Sequence, residues 1–178
     1  MPGQLYRRFG LYYHFSEDPS IICFHPRPHP SHPSLAPVVW AIDQEKSPLY
    51  FFPRDCPRIG FGRSAKTTPE DAARFMGYPD ASMIIAAESA WYQRIKEAKL
   101  YKYTFPPNPF VCWDHGAGYY VCHETVTPLS VEPMGDLLDC LTQANVELRL
   151  TPSLKPLPDS LLDSTMQFSM IRLRNARL

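Results

Sequence analysis

LYYHFS (residues 11–16), VVWAID (residues 38–43) and LYFFPRDCPRI (residues 49–59) follow one another within fifty residues of the chain. The first two stretches are short and rich in aromatic and β-branched residues, which is typical of strands. Polar His14 lies inside the first of them and Trp40 inside the second. Two neighbouring strands that carry such side chains can line a cleft, so the sequence predicts a ligand site here.

The composition favours one packed domain. The chain has 178 residues, of which 44% are hydrophobic, so it can bury a sizeable core, and its length predicts a single domain over residues 1–178. Lys plus Arg equals Asp plus Glu at 18 each, so no overall charge attracts nucleic acid or an anionic membrane. Apolar runs such as Met83 to Ala87 are far shorter than the roughly 20 residues of a membrane span. Residues 1–10 also lack the apolar core of a secretory signal, so we expect a cytoplasmic protein with no membrane partner.

The five cysteines are odd in number and none belongs to a CxxC pair. This pattern argues against a disulfide framework and against a zinc knuckle, and it predicts reduced thiols.

The pattern of apolar residues and turn signals predicts more strands than helices. The clearest helix is Pro69–Met76, with Thr68 as its N-cap and Gly77 as a left-handed residue after its end. Further helices are predicted at Ser89–Ala98, Gly135–Gln143 and Asp159–Gln167. Strands are predicted near Leu11–Phe15, Pro37–Ile42, Arg58–Phe61, Ser82–Ala87, Leu100–Phe105, Phe110–Trp113, Gly118–His123, Val126–Val131, Val146–Leu150 and Phe168–Leu173. Several strands follow one another without a helical crossover, so we predict an α+β fold with a mixed or antiparallel sheet and three or four helices.

His14 and Glu124 are the two candidate catalytic residues. His14 can donate a ring N–H to a ligand hydroxyl while a backbone carbonyl holds its other nitrogen, and the alternative is a structural histidine in the core. Glu124 follows a predicted strand, where a carboxylate can stabilise positive charge that develops at an anomeric carbon. The alternative for Glu124 is a solvated carboxylate at the sheet edge.

The loop HPRPHPSHP places His25, His29 and His32 within eight residues, which raises the question of a metal site. Alternating prolines favour an extended left-handed helix of three residues per turn, in which His25 and His29 do not stack over one another. We therefore expect a rigid loop rather than a metal site. Arg27 in this loop is predicted to contact an anionic ligand.

The segment PRDCPRI carries Cys56 between Arg54 and Arg58. Flanking arginines can lower the pKa of a thiol or bind a phosphate, so Cys56 is a candidate nucleophile, with His14 or His25 as its base. The alternative is a structural turn in which Asp55 pairs with an arginine and the thiol packs inward. Arg54 and Arg58 are also candidate ligand contacts.

Long stretches of the chain resemble a family of bacterial and fungal proteins described only as a domain of unknown function. The resemblance rests on LYYHFSEDPSI, VVWAID, LYFFPRDCPRI, YKYTFP, GYYVCHETVTPLSVEPMGDLL and the ending from ELRLTPSL to STMQFSMIRLRNA. More distantly, HFS on an early strand and the glutamate after YYVCH are similar to the histidine–aromatic–glutamate signature of the ADP-ribosyltransferase-like fold. That resemblance implies a split sheet with NAD as the substrate. His14 would contact a ribose hydroxyl, Trp40 or Tyr50 would stack on nicotinamide, and Glu124 would stabilise the oxocarbenium ion. Related folds act on RNA ends, so RNA is a further candidate substrate.

Three functions are consistent with the sequence. The first is an enzyme that binds a nucleotide-like or sugar-phosphate ligand in a His/aromatic/Glu cleft. The most specific version of this hypothesis is NAD-dependent ADP-ribosyl transfer. The second is acyl or aminoacyl transfer through Cys56. The third is a non-catalytic surface that binds another protein. The first requires that His14, Trp40 and Glu124 face one cleft.

Overall fold

The computed structural model describes residues 10–77 and 80–177. Within these residues the chain forms ten strands and four α-helices, which confirms the predicted α+β class. In chain order they are β1 (Tyr12–Ser16), β2 (Val39–Ile42), β3 (Arg58–Gly62), α1 (Pro69–Met76), β4 (Met83–Glu88), α2 (Tyr92–Glu97), β5 (Tyr101–Phe105), β6 (Val111–Asp114), β7 (Tyr119–Cys122), β8 (Ser130–Pro133), α3 (Leu137–Gln143), β9 (Val146–Thr151), α4 (Leu157–Leu162) and β10 (Gln167–Ile171).

The strands form two sheets in two compact units, and each unit is built from two separate parts of the chain. The six-stranded unit comprises the described residues up to 47 together with residues 99–134. The four-stranded unit comprises the described residues of 48–98 and 135–177. The prediction of a single domain stays a prediction.

The six-stranded unit contains an antiparallel sheet in the order β6-β7-β2-β1-β5-β8. β1 lies at its centre, between β2 and β5, and its short aromatic sequence favours this pleated position. One face of the sheet carries a core cluster of Val39, Ala41, Phe105, Phe110, Cys122 and Val126. Tyr12, Phe24 and Tyr120 pack against that cluster. The side chains alternate between the two faces, as the two-residue period of a strand requires.

The four-stranded unit contains a mixed sheet in the order β10-β3-β4-β9, in which β4 and β9 are parallel. Every residue of β4 is buried, which explains its continuous apolar sequence MIIAA, because parallel strands covered on both faces lose the alternating pattern. Ile59, Phe61, Phe75 and Leu161 belong to the core cluster of this unit.

Helix α1 has the predicted bounds and the predicted caps. The Thr68 hydroxyl accepts a hydrogen bond from the backbone N–H of Asp71, and Pro69 occupies the first turn. Gly77 ends the helix with a φ of 65°. This positive value favours glycine, although its ψ of −132° differs from the predicted left-handed helical conformation.

Two predicted elements are shifted in the structure. The predicted strand at Val126–Val131 is a single bridge at Val126 followed by β8 at Ser130–Pro133, because Pro128 cannot donate to a ladder between them. The predicted helix at Asp159–Gln167 begins earlier, as α4 at Leu157–Leu162, since Pro158 is well tolerated in a first turn. Gln167 instead begins β10.

Among the described residues, no helix is long and apolar enough to cross a membrane. The prediction about a secretory signal falls on residues 1–10, and the first nine of these lie outside the described residues.

Candidate functional site

His14 and Trp40 lie on opposite faces of the six-stranded sheet. Tyr13 pairs directly with Ile42, so these two side chains share a face with Trp40, which is two residues before Ile42. His14 is adjacent to Tyr13 and therefore points to the other face. Their ring neighbours agree: the His14 ring lies 4.9 Å from the Phe24 ring, whereas the Trp40 ring lies 5.8 Å from the Tyr119 ring. The predicted cleft shared by His14 and Trp40 is thus wrong.

Glu124 lies in an exposed bend just after β7. Its backbone N–H donates to the Cys122 sulfur at 3.3 Å, and the Cys122 thiol donates to the Glu124 carbonyl oxygen at 3.5 Å. The buried thiol thus shapes the bend that presents the carboxylate to solvent. The described hydrogen bonds of Glu124 go to Cys122 and not to His14 or Trp40, so catalytic roles for Glu124 and His14 stay predictions.

Tyr50, Arg54, Cys56 and Arg58 all belong to the four-stranded unit. Arg58 is only 2% exposed; its guanidinium donates to the carbonyl oxygens of Leu49 at 2.5 Å and Cys56 at 2.8 Å. The same guanidinium lies 5.4 Å from the centre of the Tyr50 ring. The predicted role of Arg58 as a ligand contact is therefore wrong, because its side chain is buried and its guanidinium is bound to carbonyl oxygens of the protein. Arg54 is exposed, and ligand contacts by Arg54 and Tyr50 stay predictions.

Cys56 does not have the environment of a nucleophile. Its side chain is 0% exposed, and its thiol donates to the Pro57 carbonyl oxygen at 3.6 Å. Burial raises the pKa of the Cys56 thiol to about 12, and this effect outweighs the opposing influence of the Arg58 charge. The prediction of Cys56 as the reactive thiol is wrong, because a reagent cannot reach a thiol that is both enclosed and protonated.

The proline-rich loop contacts the sheet through its histidines. The rings of His29 and His32 lie 5.3 Å and 5.9 Å from the Trp40 ring, and the His32 ring lies 6.1 Å from that of Trp113. We call this set the ring cluster; it comprises His29, His32, Trp40, Trp113 and Tyr119. The cluster extends over the face opposite His14. Among residues 10–77 and 80–177, no group of three metal-ligating side chains is present, His25, His29 and His32 included.

A second arrangement comes from a bridge between the start of the same loop and the segment after β7. Phe24 and Val126 exchange both backbone hydrogen bonds, at 2.8 Å and 2.9 Å, and both side chains belong to the core of the six-stranded unit. In an antiparallel pair the next residues out, here His25 and Thr125, face each other with their side chains at the shortest cross-strand distance. The side chains of His25 and Thr125 point away from the core. Cys23 is two residues before His25, so its side chain lies on the same side.

The side chains of Cys23, His25 and Thr125 form a hydrogen-bonded series, which we call the thiol site. Cys23 Sγ lies 3.3 Å from His25 Nε2, and His25 Nδ1 lies 3.0 Å from Thr125 Oγ1. When Nδ1 carries the hydrogen and donates it to Thr125, Nε2 is left as the acceptor for the thiol proton. His25 and Thr125 are exposed and Cys23 is partly exposed, so a substrate can reach the sulfur.

The backbone before Cys23 is anchored by a buried phenol. Tyr103, at 0% exposure, donates its hydroxyl hydrogen to the Asp18 carbonyl oxygen at 2.6 Å and accepts from the Ile21 N–H at 3.1 Å. These two bonds connect the turn after β1 to β5, and they restrict the path of the chain that leads to the thiol site.

Sequence reasoning identified His25 but not its partners. It placed His25 in a rigid loop rather than in a metal site and offered it as a base for Cys56, and it treated Cys23 as one of five reduced thiols. The local signal was Cys-x-His in an extended segment, since residues two apart in a strand project to the same side. Thr125 carried no such signal, because it is 100 residues from His25 and only the bridge at Phe24 brings it close.

Comparison with known proteins identifies the family of the chain but names no activity. No curated protein and no solved structure matches the chain. The resemblance to ADP-ribosyltransferases therefore has no support, and the opposite faces of His14 and Trp40 count against it. A family model described as a family of unknown function, DUF6886, matches residues 13–176, which include the thiol site, the ring cluster and most of both units. The chain belongs to this family of unknown function, DUF6886.

Proposed function

We propose that the six-stranded unit is a thiol-dependent acyl transferase or hydrolase. The observation that carries the proposal is that His25 uses both ring nitrogens, one toward the Cys23 sulfur and the other toward Thr125. A nucleophile within hydrogen-bond reach of a base, with the base held by a third group, is the arrangement that activates a thiol for covalent catalysis. Cys23 is the nucleophile, His25 the general base and Thr125 the residue that positions the base.

The reaction has two balanced steps. His25 Nε2 takes the thiol proton as Cys23 Sγ forms a bond to the carbonyl carbon of the donor, and the bond from that carbon to the leaving group breaks. The leaving group departs with the electron pair, and the imidazolium gives its proton to the leaving group or to water, so that His25 is neutral again. The product of this step is a thioester on Cys23. In the second step water or an acceptor amine or hydroxyl attacks the thioester carbon, the C–S bond breaks, and the sulfur leaves as a thiol. The proton lost by the attacking group passes through the imidazole.

Of the functions considered from the sequence, this proposal retains acyl transfer but assigns it to a different cysteine. No finding favours ADP-ribosyl transfer from NAD, and we expect no nicotinamide release. A thiol that must stay reduced requires a reducing compartment, and all five cysteines are free; we therefore propose a cytoplasmic location.

The test is to measure how fast each cysteine of the folded protein is acetylated by p-nitrophenyl acetate, followed by peptide mass spectrometry. We expect Cys23 to gain the acetyl group fastest, and the fast phase of nitrophenol release to be lost in Cys23→Ala. Cys112 provides the matched control because it is an exposed cysteine of the same unit, so Cys112→Ala should react like the unmodified protein. His25→Gln should slow acylation by about 10²–10⁴-fold, the usual contribution of a general base.

Thr125 is tested by a pair of variants. Thr125→Val keeps the shape of the side chain but removes the hydroxyl, so we expect slower acylation and a changed pH profile of the rate. Thr125→Ser should restore both. Labelling of Cys23 no faster than Cys112, or His25→Gln with an unchanged rate, would contradict the proposal and favour a non-catalytic role for this surface.

A further inference from the structure

A cavity in the four-stranded unit lies on the face of the sheet that α1 and α4 cover. We call it the helix cleft; its apolar wall comprises Phe61 of β3, Phe75 of α1, Ala86 of β4 and Leu157 of α4. Phe61, Phe75 and Ala86 belong to the core cluster of the unit, so the cleft reaches the core. Its volume of about 350 Å³ is within the range of about 300–1,000 Å³ that is typical of small-molecule sites.

Strand β9 brings polar side chains to this face, although the middle of its neighbour β4 is apolar there. Ala86 pairs with Arg149 across the parallel ladder, so Arg149 and, two residues later, Thr151 project to the side of Ala86 and line the cleft. Leu148 and Leu150 alternate with them and project to the opposite side. The cleft therefore combines an apolar wall with a small number of polar groups, as ligand sites do.

Arg149 is held in a fixed orientation by three hydrogen bonds. Its Nε donates to Glu147 Oε1 at 2.7 Å, and its Nη1 and Nη2 donate to the carbonyl oxygens of Phe75 at 2.6 Å and Met76 at 3.2 Å. A guanidinium has five N–H donors, so these bonds, within the described part of the chain, leave one hydrogen on each Nη atom. The side chain is 38% exposed, unlike that of Arg58, so a ligand can reach it. Two neighbouring N–H donors match the two oxygens of one carboxylate.

Arg74 of α1 adds a second cation to the lining of the cleft. It is exposed, and its guanidinium lies 5.0 Å from the centre of the Phe75 ring. Acidic neighbours offset part of the positive charge, because Glu147 bonds to Arg149 and Asp71 precedes Arg74 by one helical turn. The remaining positive charge is small. It favours a carboxylate, with one negative charge, over a phosphate monoester, which carries about 1.5–2.

Hydroxyl groups complete the polar side of the cleft. The Thr151 hydroxyl donates to the Ser153 carbonyl oxygen at 3.2 Å, and the Ser160 hydroxyl donates to the Pro156 carbonyl oxygen at 3.3 Å. The Ser153 hydroxyl accepts from the Lys155 backbone N–H at 3.1 Å. Its own hydrogen therefore stays available to donate, and a carboxylate oxygen is an acceptor of the kind that it suits.

We propose that the helix cleft binds a small carboxylic acid, as its carboxylate, with an aromatic or aliphatic body. The carboxylate bonds to the two remaining Nη hydrogens of Arg149 and is attracted by Arg74, while the body packs against Phe75 and Leu157. The inference goes beyond the role proposed for Cys23 and does not depend on it. The described residues that line the cleft all belong to the four-stranded unit.

This site differs from the anion contacts that the sequence predicted. Arg27, Arg54 and Arg58 were singled out beside prolines, and none of them lines the helix cleft. A contact of Arg27 with an anionic ligand stays a prediction. Arg149 carried no such signal, because the alternation in VELRLT is typical of a strand with one solvated face.

The test is a titration of the isotopically labelled protein with phenylpropanoate, followed by NMR. We expect saturable shifts of the backbone amides of β9 and α4. Phenylpropanol has the same body without the charge, and acetate has the charge without the body. Each should bind at least about tenfold more weakly, a difference of about 1.4 kcal/mol in binding free energy. Phenyl phosphate tests the preferred charge and should bind no more tightly than phenylpropanoate.

Two variants test the cleft without removing Arg149, whose bonds also hold the end of α1. Arg74→Gln should weaken phenylpropanoate binding about tenfold, since it removes a charge, and Ser160→Phe should abolish binding because the ring fills the cleft. Arg94→Gln is the matched control and should bind phenylpropanoate like the unmodified protein. Arg94 is also exposed and lies 4.7 Å from the centre of an aromatic ring, that of Trp91, but it does not line the cleft.

Urea unfolding of each variant separates loss of the site from loss of the fold. If Ser160→Phe is unstable, Arg74→Gln and the ligand series decide. Phenylpropanol that binds as tightly as phenylpropanoate, or phenyl phosphate that binds more tightly, would overturn the assignment of a carboxylate. Absence of saturable binding, or unchanged binding in a folded Ser160→Phe, would overturn the site. None of these results changes the rate at which Cys23 is acylated, so the proposed function is tested separately.

Discussion

Two cysteines of this chain show how the surroundings of a residue determine its chemistry. Cys56 lies between prolines and arginines, a sequence that looks activating, but folding encloses it completely. Cys23 has an unremarkable sequence context, but its partly exposed sulfur lies 3.3 Å from an imidazole nitrogen. Reactivity follows exposure and the thiolate population, and neither property can be read from the nearest neighbours in sequence.

This contrast predicts that Cys56 resists alkylation in the folded protein. Its pKa of about 12 keeps the thiol protonated at pH 8, and the reagent cannot reach it. Iodoacetamide at pH 8 should therefore modify Cys23 and the exposed Cys112 and leave Cys56 intact until denaturant is added. The measurement is peptide mass spectrometry with time. Modification of Cys56 in the native protein at the rate of Cys112 would contradict the prediction.

At the scale of single elements, helix α1 is tied to the segment before β10 through Asp71. The Asp71 carboxylate accepts from the Thr165 backbone N–H at 2.7 Å and from its hydroxyl at 2.6 Å. The side-chain hydrogen bond from Thr165 is the largest cause that lowers the pKa of Asp71, and the Thr165 backbone hydrogen bond adds to it. Local capping by Thr68 and long-range docking at Thr165 therefore meet at the same end of the helix.

These bonds predict an acid-dependent part of the stability. A carboxyl group whose pKa is lower in the folded state stabilises that state above its unfolded-state pKa, and the contribution is lost as the pH falls through the folded value. Asp71→Asn should therefore reduce the free energy of unfolding at pH 7 and flatten its decrease below pH 4. Urea unfolding at several pH values measures both effects, with Asp163→Asn, an exposed carboxylate at the end of α4, as the control. If the free energy of unfolding of Asp71→Asn decreased below pH 4 as steeply as that of the unmodified protein, the role assigned to Asp71 would be contradicted.

At the scale of the whole molecule, each unit depends on contacts between chain segments that are far apart in sequence. In the four-stranded unit, Glu88 at the end of β4 is 1% exposed and accepts from the backbone N–H of Arg177 at 3.0 Å. A further N–H, that of Leu154, lies 3.4 Å from the same carboxylate. One buried side chain thus joins the first segment of the unit to two points of the second segment.

We predict that Glu88→Gln destabilises the protein by about 2–3 kcal/mol, because hydrogen bonds to a charged acceptor are lost and an amide N–H₂ then faces backbone donors. The change should appear as a lower denaturant midpoint in urea unfolding. Glu70→Gln, an exposed glutamate of the same unit, should have much less effect. Equal stability of the two variants would show that Glu88 does not join these segments.

The sequence predicted the elements well because their causes are local. The pattern of apolar residues and turn signals predicted strands that overlap all ten observed ones, and a cap, a proline and a glycine placed α1 at its observed bounds. The largest shifts are at β8 and α4, and α4 begins two residues before its predicted start because Pro158 fits a first helical turn. Candidate site residues were harder to predict: His14 and Trp40 occur in neighbouring strands, but the pairing of Tyr13 with Ile42 puts them on different faces.

By itself the sequence determined where strands and helices form, since hydrophobic period, capping residues and prolines act over a few neighbouring positions. The neutral composition also determined that any anion must be met by a local cation such as Arg27. Only the tertiary structure decided which side chains meet. The bridge between Phe24 and Val126 joins positions about a hundred residues apart, and that register brings Thr125 to His25. The physical reason is that sheet register depends on burial across the whole unit, and a shift of one residue would turn each of these side chains to the opposite face.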